Sequence, residues 1–125
     1  KEVDQALIEA AKASDAQVSE YTVAPQITPK DGLPYHEWFI EFEKEPKDLV
    51  EFIQHIDTSL QEQNSYYKDL IKGKVLQQLQ ITKVKKDGFK AYMKTIGKLG
   101  GQNKTPRLSN DRKIADSLEK HNLIN

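Results

Sequence analysis

Apolar side chains in residues 2–14 recur at intervals of three and four, with Val3, Ala6, Leu7, Ala10 and Ala11 on one face, which predicts a helix. Residues 17–24, QVSEYTVA, are rich in strand formers and run up to Pro25, so a strand is expected there. A turn-rich segment punctuated by Pro29, Asp31, Gly32 and Pro34 follows. In YHEWFIEFE the pattern changes to strict alternation. His36, Trp38, Ile40 and Phe42 point one way and Glu37, Phe39, Glu41 and Glu43 the other, as in a strand with one buried and one mostly wet face.

Pro46 then opens a helix whose inner positions are Leu49, Phe52, Ile53, Ile56 and Leu60. NSYYKDLIKG adds a helical turn or two before Gly73, and LQQLQITKVK reads as a strand of weaker alternation. Asp87 is placed to cap a helix carrying Phe89, Tyr92, Met93 and Ile96, which Gly97 terminates. A loop from Lys98 to Ser109 leads to Asn110, expected to cap a last helix with Ile114, Leu118 and Leu123 inward. The sum predicts an α+β fold, a small mixed sheet of about three to four strands packed by helices in a single domain.

Composition narrows the classes. A chain of 125 residues, 37% hydrophobic and 30% charged, fits one globular domain with a core of its own. No apolar run approaches the roughly 20 residues that a membrane span needs. Without cysteine, thiolate metal sites and disulfides are excluded, and a cytoplasmic location is the default expectation. The chain starts at Lys1 and its only methionine is Met93, so a processed product or a domain of a longer protein is expected. The formal net charge of zero hides an asymmetry: residues 1–62 hold 14 acidic and 5 basic side chains, and residues 63–125 the reverse. Two readings stay open, a folded surface with mixed charge and a basic face that meets an anion.

The densest chemistry lies in GKLGGQNKTPR, residues 97–107. Gly100 and Gly101 allow positive φ and free backbone N–H groups close to a ligand, and Lys98, Lys104 and Arg107 add charge. A phosphate-binding loop of the nucleotide-hydrolase type requires Gly directly before Lys, a strand before and a helix after. Here Asn103 precedes Lys104, a helix precedes the loop and Pro106 follows, so that motif is rejected. A helix cap at Gly97 followed by a solvated connection is the plain alternative.

Other candidates are weaker. His36, His55 and His121 lack metal-ligand spacing, and no metal site is expected. Glu37, Glu41 and Glu43 share a strand face, where carboxylates for acid–base work are weighed against the simpler task of keeping that face soluble. Trp38 and Phe42 read as core, and Tyr66 and Tyr67 carry no signal. KVKKDGFKAYMK interleaves lysines with aromatics as nucleic-acid-binding modules do, but its aromatics fit a buried helix face. A nucleic-acid-binding or non-catalytic interaction module remains the alternative.

GKLGGQNKTPRLSNDR resembles the C-terminal signature of the auxin-responsive acyl-acid-amido synthetases, the Gretchen Hagen family, especially its bacterial members. Its plant branch has counterparts of Gly97, Gln102, Lys104, Pro106 and Arg107. YTVAP at 21–25, HEWFIEFEKEP at 36–46 and QNSYY at 63–67 extend the resemblance over most of the chain, in order. Tyr66 departs from the pattern, since bacterial relatives tend to have Asp there, and Lys98 lacks a plant counterpart.

The resemblance implies an ATP-dependent ligase that forms an acyl-adenylate from a carboxylic acid and passes the acyl group to an amino acid amine. Residues 1–125 would be its small, mobile C-terminal domain, catalytically silent alone. The partner would be the enzyme's own N-terminal adenylation domain, which would hold ATP and Mg; neither nucleic acid nor membrane is expected as a partner. Lys104 is the expected catalytic residue, with Gly100, Gly101, Gln102 and Arg107 at nucleotide or phosphate. For Arg107 a buried or interdomain salt bridge is an equal alternative.

Overall fold

A computed structural model of the protein describes residues 1–30, 32–98 and 105–125. The chain runs α1 (Glu2–Ser14), β1 (Gln17–Gln26), β2 (Tyr35–Lys44), α2 (Leu49–Gln63), α3 (Ser65–Lys72), β3 (Gln80–Lys83), α4 (Gly88–Thr95) and α5 (Lys113–Lys120). β2 lies at the centre of a mixed sheet ordered β1-β2-β3, antiparallel to β1 and parallel to β3. The α+β expectation with a small mixed sheet holds.

Register follows the alternation in β2. Tyr21 lies opposite Ile40 and Val23 opposite Trp38, so these four share one face, while Thr22 opposite Phe39 belongs to the other. On the first face Tyr21, Val23, Trp38 and Ile40 pack with Ala6, Leu7 and Ala10 of α1 and Phe52, Ile56 and Leu60 of α2. Sequence periodicity identifies this core correctly. β1 continues through Pro25 because it is an edge strand, where a missing N–H leaves no ladder partner unmet.

The second face of β2 corrects the expectation of a wet side. Ala24 and Phe39 are covered there by Val84, by Phe89, Tyr92 and Met93 of α4, and by Ile114, Ala115 and Leu118 of α5. Glu41 is only 7% exposed on this face. Its carboxylate accepts from the backbone N–H of Asp87 at 3.0 Å and of Phe89 at 3.2 Å, and so satisfies the first turn of α4. Asp87 occupies the N-cap position with φ 62° but makes no capping bond with its own side chain. Gly88 is needed beside it, since a Cβ there would lie 2.5 Å from Val84 Cγ1 and 3.2 Å from the carbonyl oxygen of Leu123. Glu37 is likewise engaged, accepting from Arg112 Nη1 at 2.8 Å, while the Arg112 guanidinium stands over the Phe39 ring. Glu43 is the exposed member of the trio and accepts from Ser19 Oγ at 3.2 Å.

Helix starts differ from the sequence expectation by a few residues. α2 begins at Leu49, where the Asp48 side chain accepts from the N–H of Glu51, rather than at Pro46. Asp111, not Asn110, serves the start of α5, accepting from the N–H of Lys113 at 3.0 Å. Asn64 ends α2, and its side chain caps α3 through the N–H of Tyr67.

Helix ends share one device. Asp15, Lys74, Gly97 and Asn122 have positive φ just beyond α1, α3, α4 and α5. In each case the next residue donates back five positions, as Lys98 N–H does to Met93 at 2.9 Å, the bond that defines the Schellman cap.

Candidate phosphate-handling loop

Both approaches to the loop are tightly held. On the incoming side α4 is stopped by Gly97 at φ +70°, whose N–H donates to Lys94 at 3.1 Å, and Lys98 follows, exposed. On the outgoing side Thr105 is buried, and the next residues lie along the outer edge of β1. Val23 N–H donates to the Arg107 carbonyl at 3.0 Å, and Ser109 N–H donates to the Val23 carbonyl at 2.8 Å. Thr22 Oγ1 donates to the Pro106 carbonyl at 2.7 Å from the same edge. The loop therefore joins the helix layer on one face of the sheet to the sheet's open edge. Gly100, Gly101, Gln102 and Lys104 lie outside the described residues.

Arg107 is the one expected phosphate contact that the structure describes. Its guanidinium stands 5.0 Å over the Tyr21 ring, with Nε 3.8 Å from Asp4 and Nη1 paired with Glu20. Tyr21 in turn stacks on Trp38 at 5.8 Å between centroids and donates its hydroxyl to Asp4. Burial, together with that carboxylate, pushes the Tyr21 phenol well above its usual range, so it stays protonated. The arrangement fits the salt-bridge alternative. To reach a phosphate, the guanidinium must leave two carboxylates that already neutralise it, and those carboxylates repel an incoming anion. Beside this group a cleft of about 590 Å³ opens between α1 and β1, with Leu7, Ile8, Ala11 and Val18 as its apolar lining.

The remaining candidates are structural in their contacts. Half-buried His36 stacks on Tyr67 at 6.4 Å, and burial lowers its pKa below the ordinary imidazole value. Tyr67, silent in the sequence, is buried and donates to Asp57 Oδ1 at 2.7 Å, while Gln61 Nε2 donates to Oδ2 of the same carboxylate at 2.7 Å. Asp57 and Glu41 are thus interior carboxylates that periodicity missed. The one sequence signal for Asp57 is its place four residues before Gln61 on a helix. Among the described residues no group of three or more His, Asp or Glu side chains is disposed to hold a metal ion.

The architecture is that of a small α+β domain whose basic loop is tied at one end to a helix and at the other to a sheet edge. The model of the GH3 family C-terminal domain matches residues 1–113, and the chain belongs to the GH3 family. Among solved structures, GH3.15 acyl acid amido synthetase superposes with a TM-score of 0.77 at 20% identity, over 99% of this chain and 24% of that one. AtGH3.15 acyl acid amido synthetase in complex with 2,4-DB superposes with a TM-score of 0.77 at 18% identity, over 99% of this chain and 23% of that one. These likenesses show a shared fold, and this chain spans about a quarter of the length of those proteins. Comparison with curated proteins gives no match.

Proposed function

We propose that this chain is the mobile C-terminal domain of a cytoplasmic, ATP-dependent acyl acid amido synthetase. The observation that carries the reading is the family match across residues 1–113, which includes the whole GKLGGQNKTPR segment. In the first half-reaction a carboxylate oxygen attacks the α-phosphorus of ATP, and the bond to the bridging oxygen breaks to release pyrophosphate. In the second, the amine of an amino acid attacks the activated acyl carbon, loses a proton, and displaces AMP. The larger domain holds the nucleotide, its Mg and the acid.

The first step brings an anion onto an anion. A cation delivered by domain closure into a site from which water is excluded offsets the charge that develops on phosphorus oxygens. Lys104 is assigned that role. In the sequence it stands one residue before Thr105, which is buried. Gly100, Gly101 and Gln102 are assigned backbone and side-chain contacts to nucleotide, and Arg107 a contact that requires release from Glu20 and Asp4.

The test is acid-dependent exchange of pyrophosphate into ATP by the full-length enzyme across a panel of carboxylic acids, followed by amide formation with amino acids. Absence of exchange with every acid overturns the reading. Lys104→Ala is expected to raise the adenylation barrier by about 2 to 4 kcal/mol. An unchanged rate of pyrophosphate release would remove Lys104 from the mechanism. The 125-residue chain alone is expected to form no amide.

A further inference from the structure

Among the described residues eight large apolar side chains are exposed. Four of them, Ile27, Leu33, Tyr66 and Val75, gather at one end of the sheet, where β1 finishes and β2 and β3 begin. Ile27 and Leu33 flank the turn that joins Gln26 to its cross-strand partner Tyr35. Val75 comes from the connection between α3 and β3, which is fastened to that turn. Gln77 N–H donates to the Pro34 carbonyl at 2.8 Å, and Gln77 Nε2 donates to the Leu33 carbonyl. Gly32, at φ +82°, permits the approach, since a Cβ there would lie 2.8 Å from Gln77 Nε2. Tyr66 precedes Tyr67, whose ring stacks on His36 near the start of β2. The other four, Ile8, Val50, Ile96 and Leu108, stand singly on α1, on α2, just beyond α4 and along the outer edge of β1, and isolated apolar residues of that kind are ordinary. A cluster drawn from three separate connections is not, and it marks a surface that meets another.

The first turn of α1 reaches the same end. Gln63 Nε2 donates to the Glu2 carbonyl at 3.2 Å and Asn64 Nδ2 to Glu2 Oε1 at 3.1 Å, at the junction that leads into Tyr66. The matching family model is that of a C-terminal domain, and the chain spans about a quarter of the solved amido synthetases. The rest of such an enzyme therefore precedes α1 and enters at this end. From the apolar cluster and that point of entry we infer that Ile27, Leu33, Tyr66 and Val75 form the docking face for the enzyme's own larger domain, which meets them with apolar side chains. The inference deepens the proposed function and rests on it for the presence of that domain. A surface beside the pivot is displaced least when a small domain swings, so it suits a lasting contact. Its segments are already bonded to one another, which keeps the entropy lost on docking small. A second copy of the chain is the rival occupant, but it has to share this end with the polypeptide that enters α1.

The test is hydroxyl-radical footprinting of the full-length enzyme, read residue by residue by mass spectrometry. Two pairs of like side chains give internal controls: in this domain Val75 is 58% and Val50 66% exposed, and Ile27 is 71% and Ile8 52% exposed. Val75 and Ile27 are expected to be labelled about threefold less than Val50 and Ile8, because the larger domain covers them. Equal labelling within either pair overturns the inference. Protection that appears only as the enzyme concentration rises overturns it in favour of a second copy. The double variant Ile27→Asp/Val75→Asp changes exposed side chains alone, so the domain keeps its core. It should raise the labelling of Tyr66 and enlarge the radius of gyration in solution scattering, whereas Val50→Asp should change neither. Unchanged Tyr66 labelling in the double variant also overturns the inference. Absent protection beside intact pyrophosphate exchange sinks the docking face alone. Protection beside failed exchange with every acid sinks only the proposed reaction.

Discussion

The two faces of the sheet are built by different means. On one, two long helices, α1 and α2, bury aliphatic and aromatic side chains against Tyr21, Val23, Trp38 and Ile40. On the other, α4 and α5 have eight residues each, too short to be stable as isolated helices. They are fastened by charge as well as by packing: Glu41 holds the start of α4, and Glu37 with Arg112 holds the start of α5. Exposed Glu2, Glu9, Glu51 and Glu62 lie on α1 and α2, and exposed Lys90 and Lys94 lie on α4. Apolar packing covers both faces, and on the side next to the loop polar contacts fasten the starts of the short helices as well. The proposed function needs the loop held at both ends, and the described anchors at Gly97 and at the edge of β1 do that.

The sharpest way to break the comparison is to remove apolar volume from the first face. Phe52 is fully buried and packs edge-on against Phe42 at 5.4 Å. Phe52→Ala is expected to lower the unfolding free energy by about 3 to 5 kcal/mol, measured by denaturant titration. A loss below about 1 kcal/mol would mean that the first face is not the main core. Glu41→Ala attacks the second face through its tether and should cost about 1 to 3 kcal/mol, because two N–H groups at the start of α4 lose their acceptor. Its signature is local: faster amide exchange in α4, with α1 and α2 unaffected. Equal acceleration on both faces would mean that they do not open independently.

The first face was legible because its helices and strand carry apolar residues at fixed periods, and periodicity reports burial directly. The second was misread at one point. Alternation in HEWFIEFE assigns Glu37, Glu41 and Glu43 to one side of a strand, but a carboxylate that caps a distant helix has the same letter as one that faces water. Glu41 finds its partners 46 and 48 residues away, and no local pattern encodes that pairing. The ends of α1 at Ser14 and of α3 before Gly73 match the sequence expectation, and Gly97 was found beyond α4, whereas the left-handed residues Asp15, Lys74 and Asn122 have no glycine at the cap itself to announce them. The loop was read through its composition and its resemblance to a family, and the structure adds its two anchors. Of its expected phosphate contacts, Arg107 shows how context decides. Its place in the sequence allows either a ligand or an ion pair, and the nearness of Asp4 and Glu20 across β1 and α1 favours the pair.

The smallest effect separates the faces by pH. His36 belongs to the first face, stacked on Tyr67, and burial lowers its pKa below 6.5. The unfolded chain therefore binds a proton at this site at higher pH than the folded one does. Stability contributed here is complete above about pH 6.5 and falls as pH drops toward the folded value, since acidification favours the state that takes the proton. The surface pair of Asp15 with Lys44, whose hydrogen bond and charge lower the Asp15 pKa, is lost only below the carboxylate range, so it does not blur this window. Denaturation midpoints at pH 7.5 and 5.5 should differ modestly in the wild type, and the difference should shrink in His36→Gln. On the second face, Glu41→Ala should leave that pH difference intact while lowering both midpoints. If His36→Gln keeps the full pH dependence, the acid sensitivity arises elsewhere, and the packing of His36 on Tyr67 does not set it.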